Sequence, residues 1–153
     1  MFKDIFEAAK NPVNISWDKK GNRWHGFFDV HHQEFEIIIN KYYSCKNSYI
    51  YQFKFFRDDE SKIFNDNKYH FIVYATIKHA LHEYVKETKP DILLFAAADE
   101  SKARISMYRL EASNLASKYH YHDLTKISED NDIVFGIYKE DKDKKCILEL
   151  IGE

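Results

Sequence analysis

Glycine and proline are scarce in this chain, with 4 Gly and 2 Pro among 153 residues. A phosphate cradle needs consecutive backbone N–H groups at close approach, which glycine makes easy, so the sequence holds little material for one. Cysteine is as scarce. Cys45 and Cys146 stand far apart and in no metal-ligand spacing, which excludes a zinc ribbon or a Cys-x-x-Cys redox motif. The pair reads as two reduced thiols of a cytosolic protein. No apolar run approaches the roughly 20 residues of a membrane span. The opening MFKDIFEAAK is too short and too charged for a secretory signal, so the expected location is the cytoplasm, with no membrane partner. Neither sign of charge dominates: 23 Lys and Arg against 25 Asp and Glu give a formal net charge of −2. That balance gives no global basic footprint for nucleic acid. Ser/His/Asp nucleophile motifs and the phosphate-binding P-loop pattern are also missing.

Aromatic residues are abundant, with 11 Tyr and 12 Phe. Such side chains fill a core or an interface. A chain of this length is expected to form one domain over residues 1–153 and buries roughly 70% of its unfolded surface without a disulfide staple.

The chain is organised around its middle. Val73, Ile77, Ala80, Leu81, Tyr84 and Val85 recur at spacings of three and four, one stripe of a helix. Lys78, His82, Lys86 and Glu87 fall off that stripe, on the expected solvent side. Lys89-Pro90 ends the helix. The run Ile92–Ala97 has no alternation and reads as a strand covered on both faces. Asp99 or Ser101 then caps a second helix, whose stripe is Ile105, Tyr108, Ala112, Leu115, Ala116 and Tyr119. Arg104, Arg109, Glu111 and Lys118 lie off that stripe.

Upstream, Phe2–Lys10 reads as a short amphipathic helix stopped by Asn11-Pro12. Val13–Trp17, Trp24–Val30, Phe35–Ile39 and Tyr49–Phe56 read as antiparallel strands, with turns at Lys19–Asn22 and Val30–Gln33. Arg57–Asn67 reads as a loop. Downstream, Thr125–Asn131 reads as a polar linker, and Asp132–Tyr138 and Cys146–Ile151 as a hairpin across the charged stretch Lys139–Lys145. The expected fold is α+β in the order α-ββββ-α-β-α-ββ, a single mixed sheet with helices on its faces.

This order is similar to that of the Gcn5-related N-acetyltransferases (GNAT), which have a strand meander, a helix, a strand, a second helix and a closing strand pair. In many of them the second helix carries Asn, Ala three positions on, and Leu-Tyr six and seven on. That spacing falls on Ser101, Arg104, Met107 and Tyr108 here. The resemblance implies Tyr108 as the counterpart of the tyrosine that protonates the departing thiolate of coenzyme A. It also implies a pyrophosphate loop, Gln/Arg-x-x-Gly-x-Gly/Ala, ahead of the first central helix. The residues there are Phe64–His70, with Asn67, Lys68 and Tyr69 as the positions for acetyl-CoA. They contain no glycine, and Asp66 repels an anion. The Gly-Phe expected after the tyrosine is absent as well.

The chain also resembles small bacteriophage proteins that share a Lys-Pro-Asp turn, a strand ending in small residues and an apolar-Tyr-Arg-Leu helix segment. Here these are Lys89-Pro90-Asp91, Phe95-Ala96-Ala97 and Met107-Tyr108-Arg109-Leu110. Together the two resemblances imply a phage-encoded binding or assembly protein without cofactor, located in the virion or the host cytoplasm. It would be a virion component or an inhibitor of a host system. Its partner would be another protein, and an oligomer is compatible with the sequence. The competing expectation is an N-acetyltransferase that uses acetyl-CoA with Tyr108 as general acid.

Other chemistry is weaker on its face. His79 and His82 sit three apart on one helix, His31-His32 in a bend, and His120 and His122 flank Tyr121. Zinc needs three or four converging ligands, and nothing in the sequence brings a third, so no metal is expected. The acidic pairs Asp58-Asp59-Glu60, Asp99-Glu100 and Glu129-Asp130 fall in polar loops, where carboxylates stay solvated rather than poised for acid–base work. Lys102, Arg104 and Arg109 form a basic helix edge suited to an anion or a partner protein.

Overall fold

The structure, a computed structural model, describes residues 12–57, 69–97, 102–128 and 132–152. The segment Phe2–Lys10 and the caps Asp99 and Ser101 lie outside the described residues.

Four strands form the meander: β1 (Ser16–Lys20), β2 (Arg23–Val30), β3 (Gln33–Ser44) and β4 (Tyr49–Arg57). Two tight turns set their register. Gly21 adopts φ +61° at the first, a conformation that glycine takes without strain. At the second, His31 and His32 both take positive φ, as the hairpin connection of type I′ requires. Helix α1 (Tyr69–Thr88) follows, then β5 (Ile92–Ala97), α2 (Lys102–Tyr119), β6 (His122–Ile127), β7 (Ile133–Tyr138) and α3 (Asp141–Leu150). The strands make one seven-stranded mixed sheet in the order β1-β2-β3-β4-β5-β7-β6. Among the described strands only β4 and β5 run parallel.

The sheet has two unequal cores. On one face the alternating residues Phe35, Ile37 and Ile39 of β3, Phe53 and Phe55 of β4, Leu93 and Phe95 of β5, and Phe135 and Ile137 of β7 pack beneath α1 and α2. Each such side chain contributes roughly 1.5–3 kcal/mol when fully buried. Trp24 joins them edge-on to Tyr84 at 5.1 Å, whose hydroxyl donates to the Asn22 carbonyl at 2.7 Å. On the other face a smaller cluster of Ile50, Ile92, Leu94, Leu124, Val134 and Tyr138 receives Cys146 and Ile147 of α3.

The end of the chain departs from the sequence expectation. Cys146–Ile151 was expected as a strand, but Asp141–Leu150 is a helix. Cys146, Ile147 and Leu150 are spaced for a helical stripe as well as for a strand, and a run this short is ambiguous by period alone. The charged stretch before it decides. The Asp143 carboxylate accepts the Glu140 backbone N–H at 2.9 Å, and Asp141 and Asp143 fall in the first turn, where acidic groups suit the helix dipole. The closing strand pair does exist, one segment earlier. His122–Ile127 supplies the strand that pairs with β7, although part of it was expected as a linker. Among its six residues only Leu124 is buried, because β6 is a sheet edge, so it shows no hydrophobic alternation.

The two cysteines also differ from expectation. Cys45 in the β3–β4 turn and Cys146 in α3 are disulfide-bonded, with Cα atoms 5.9 Å apart. Their separation of 101 residues in sequence hid a proximity that only the sheet topology creates.

The interior of the β5–β7 pair is tight. A Cβ on Gly136 would stand 2.3 Å from Leu94 Cδ2 and 3.2 Å from the Leu93 carbonyl oxygen. Gly136→Ala is therefore expected to destabilise the fold by roughly 1–3 kcal/mol through overpacking, read as a lower urea midpoint at unchanged slope.

Candidate functional site

The two parallel strands β4 and β5 share three paired positions, Ile50 with Ile92, Tyr51 with Leu93 and Gln52 with Leu94. Beyond these the registered pairing stops, although both strands continue. What fills this part of the sheet differs between its two faces.

On the α1–α2 face it is filled by aromatic rings. Tyr108 of α2 packs edge-on to Phe95 at 5.0 Å and to Phe53 at 6.4 Å, with Phe135 at 6.2 Å. Tyr108 is 2% exposed. Burial pushes its hydroxyl from 10.0 up to about 12, against a smaller downward pull from Arg104. The tyrosine stripe position thus belongs to the core. Asn67 and Lys68 lie outside the described residues, and Tyr69 is the first residue of α1.

On the opposite face lies a cavity of about 310 Å³, bounded by Gln52, Leu94, Ala96 and Val134 of the sheet and by Leu150, Ile151 and Gly152 at the end of α3. Tyr42, Ser128 and Asp132 add polar groups to its lining. Gln52 Oε1 is buried there without a hydrogen-bond partner among the described residues. No sequence pattern pointed to this cavity, since its walls come from five separate elements and turns.

The basic edge of α2 is only partly solvated. Lys102 and Arg109 are exposed and Arg104 is half-buried. The Arg104 guanidinium lies over the Phe55 ring at 5.2 Å and that of Arg109 over Phe135 at 6.0 Å. Leu110, beside Arg109, is 60% exposed.

Glu111 was expected off the buried stripe, but it is buried, because its side of α2 faces α1. Its Oε1 meets His82 Nε2 at 3.2 Å, and His82 Nδ1 meets the Tyr119 hydroxyl at 3.3 Å. His82 was expected on the solvent side and is instead half-buried in this seam. Both of its nitrogens are occupied by protein partners. Among the described residues no three His, Cys, Asp or Glu side chains converge as a metal site would require. The acidic pairs of the loops lie outside the described residues. No described helix is long and apolar enough to cross a membrane.

No protein-family model matches the chain, and no curated protein matches it. Among solved structures it is similar to an acetyltransferase of the GNAT family from Streptococcus pneumoniae, at 10% identity, over 78% of this chain and 69% of that one, with a TM-score of 0.44. The class of the molecule is mixed α+β, a seven-stranded sheet with three helices among the described residues. Its described elements run as a strand meander, helix, strand, helix and closing strand pair, the order expected from the sequence, to which α3 is added.

Proposed function

We propose that the chain is a non-catalytic binding or assembly protein on a GNAT-like scaffold, phage-encoded, with another protein as its partner. The observation that carries this reading is the enclosure of Tyr108. A general acid must come within hydrogen-bond reach of the group it protonates. The only counterpart of the family's tyrosine is walled in by Phe53, Phe95 and Phe135. The glycine-free stretch Phe64–His70 supports the same conclusion, since it offers a diphosphate no pliant backbone. The basic edge of Lys102, Arg104 and Arg109, with exposed Leu110 beside Arg109, is the surface we assign to the partner, since cations next to an apolar residue suit an acidic protein patch. Of the two phage roles, the disulfide favours a virion component. Such bonds persist on virion surfaces and are rare in reducing cytosol, where an inhibitor of a host system would work.

A second reading is an N-acetyltransferase that uses acetyl-CoA with Tyr108 as acid; the cavity beside Gln52 and Leu94 offers a small molecule room, but it lies on the face of the sheet opposite Tyr108. A thermal-shift titration separates the two. A ligand at about 100 times its dissociation constant stabilises a fold by roughly 2.7 kcal/mol. The expected result is no change in melting temperature at millimolar acetyl-CoA; a saturable rise would transfer the preference to the enzyme.

A further inference from the structure

The element that closes the cavity is held to the sheet by few bonds, and one of them is redox-active. Helix α3 has ten residues, shorter than the roughly 12–15 at which an isolated helix is even marginal, so docking must hold it in place. Its buried residues are Asp143, Cys146 and Ile147. Asp143 Oδ1 accepts the Ser48 hydroxyl at 2.6 Å, Ile147 enters the smaller core, and Cys146 is bonded to Cys45. Both Ser48 and Cys45 lie in the β3–β4 turn, where the Asn47 carbonyl also accepts Lys142 Nζ at 3.1 Å. The rest of the helix is largely charged and exposed. Its last residue, Leu150, and the following Ile151 and Gly152 form one wall of the cavity over Gln52, Leu94 and Val134.

We propose that the Cys45–Cys146 disulfide is a redox latch. Oxidised, it pins α3 across the smaller core and keeps the cavity walled. Reduced, it releases α3 and opens that wall. Cys45 is half-exposed while Cys146 is 2% exposed, so an incoming thiolate attacks the Cys45 sulfur and Cys146 leaves as thiolate and takes up a proton. The second thiol of a dithiol reductant then resolves the mixed disulfide, leaving an oxidised reductant and two protein thiols. Once the bond is cut, Ile147 and the small Cys146 thiol are the buried apolar groups of the helix, with Leu150 partly buried beside them and the Ser48–Asp143 and Lys142–Asn47 hydrogen bonds as its polar ties. The device responds to passage from an oxidising to a reducing compartment, and it holds whether or not the protein is an enzyme.

Hydrogen exchange of the full chain, with and without dithiothreitol, tests the latch. On reduction, the amides of residues 141–152 are expected to exchange at least tenfold faster, while the core amides of α1 stay protected over the same minutes. Restored protection after reoxidation is part of the expectation. Retention of protection at 141–152 in the reduced protein would overturn the proposal. An independent reading comes from Cys45→Ser, which breaks the bond at its half-exposed end. Its remaining thiol, Cys146, should react with a maleimide in native buffer within minutes. Failure to label a folded Cys45→Ser protein would mean that α3 stays docked without the bond, and the latch would be wrong.

Discussion

Reduction of the disulfide lowers the unfolding free energy by about 2–5 kcal/mol, the range seen when a native cross-link is removed. The bond joins residues 101 apart in sequence, and a loop of that length removes about 4.7 kcal/mol of denatured-chain entropy in the simple closure model. For a chain of this size each kcal/mol moves the melting temperature by about 2–4 °C, so a fall of roughly 4–20 °C is expected. Thermal unfolding of the oxidised and reduced protein, followed by circular dichroism, measures it directly. Cys45→Ser should reproduce the reduced value in the absence of any reductant. Coincident curves for oxidised and reduced protein would show that the bond is absent in solution. The effect differs in kind from the opening of α3. It acts on the whole molecule through the unfolded state, whereas the latch concerns local release from a native sheet.

Most of the scaffold was legible because its signals are periodic. Residues Tyr49–Phe55 carry an aromatic at every second position, and β4 is central, with Phe53 and Phe55 buried on one face and Ile50 on the other. The stripe through Val73, Ile77, Leu81, Tyr84 and Val85 is the buried face of α1. The parts that escaped are those where period is silent. Strand β6 is polar because half of its environment is solvent. Helix α3 has two apolar anchors and a cap built from acidic side chains, which the eye reads as a loop. The disulfide and the Glu111–His82–Tyr119 chain join residues far apart in sequence, so no local pattern marks them. Glu111 in particular is an acidic residue that reads as off the apolar stripe, and only the approach of α1 makes its position interior.

Apart from the Glu111–His82–Tyr119 chain, these escapes cluster on one side of the sheet. Cys146, Asp143, Leu150 and the cavity all belong to the face covered by α3, the element that a strand meander and two crossover helices do not specify. The larger core is fixed by many mutually consistent aromatic and aliphatic positions. The smaller one depends on a short charged helix and on long-range bonds. The second face is therefore where the fold is most readily altered without loss of the first.

Truncation of Tyr108 is expected to have an effect as large as loss of the disulfide, for a different reason. Tyr108→Ala removes a ring held between Phe53, Phe95 and Phe135 and leaves a cavity, at a cost of about 3–5 kcal/mol. Tyr108→Phe keeps the ring, so most of that stability should remain. The hydroxyl adds a pH signature. Its folded-state value is raised from 10.0 to about 12 by burial, so the fold favours the protonated form. Below pH 10 both folded and unfolded chains keep the proton, and the contribution is complete. Between pH 10 and 12 the unfolded chain releases its proton first, and stability falls as pH rises, by roughly 2–3 kcal/mol for this group. Tyr84 and Tyr121 are raised as well, so the measurement is the difference between wild type and Tyr108→Phe in urea unfolding from pH 9 to 12. Wild type should lose more stability over that range. Parallel pH profiles would mean that the Tyr108 hydroxyl reaches solvent in the folded protein. That result would weaken the binding-protein reading and return the tyrosine to candidacy as an acid.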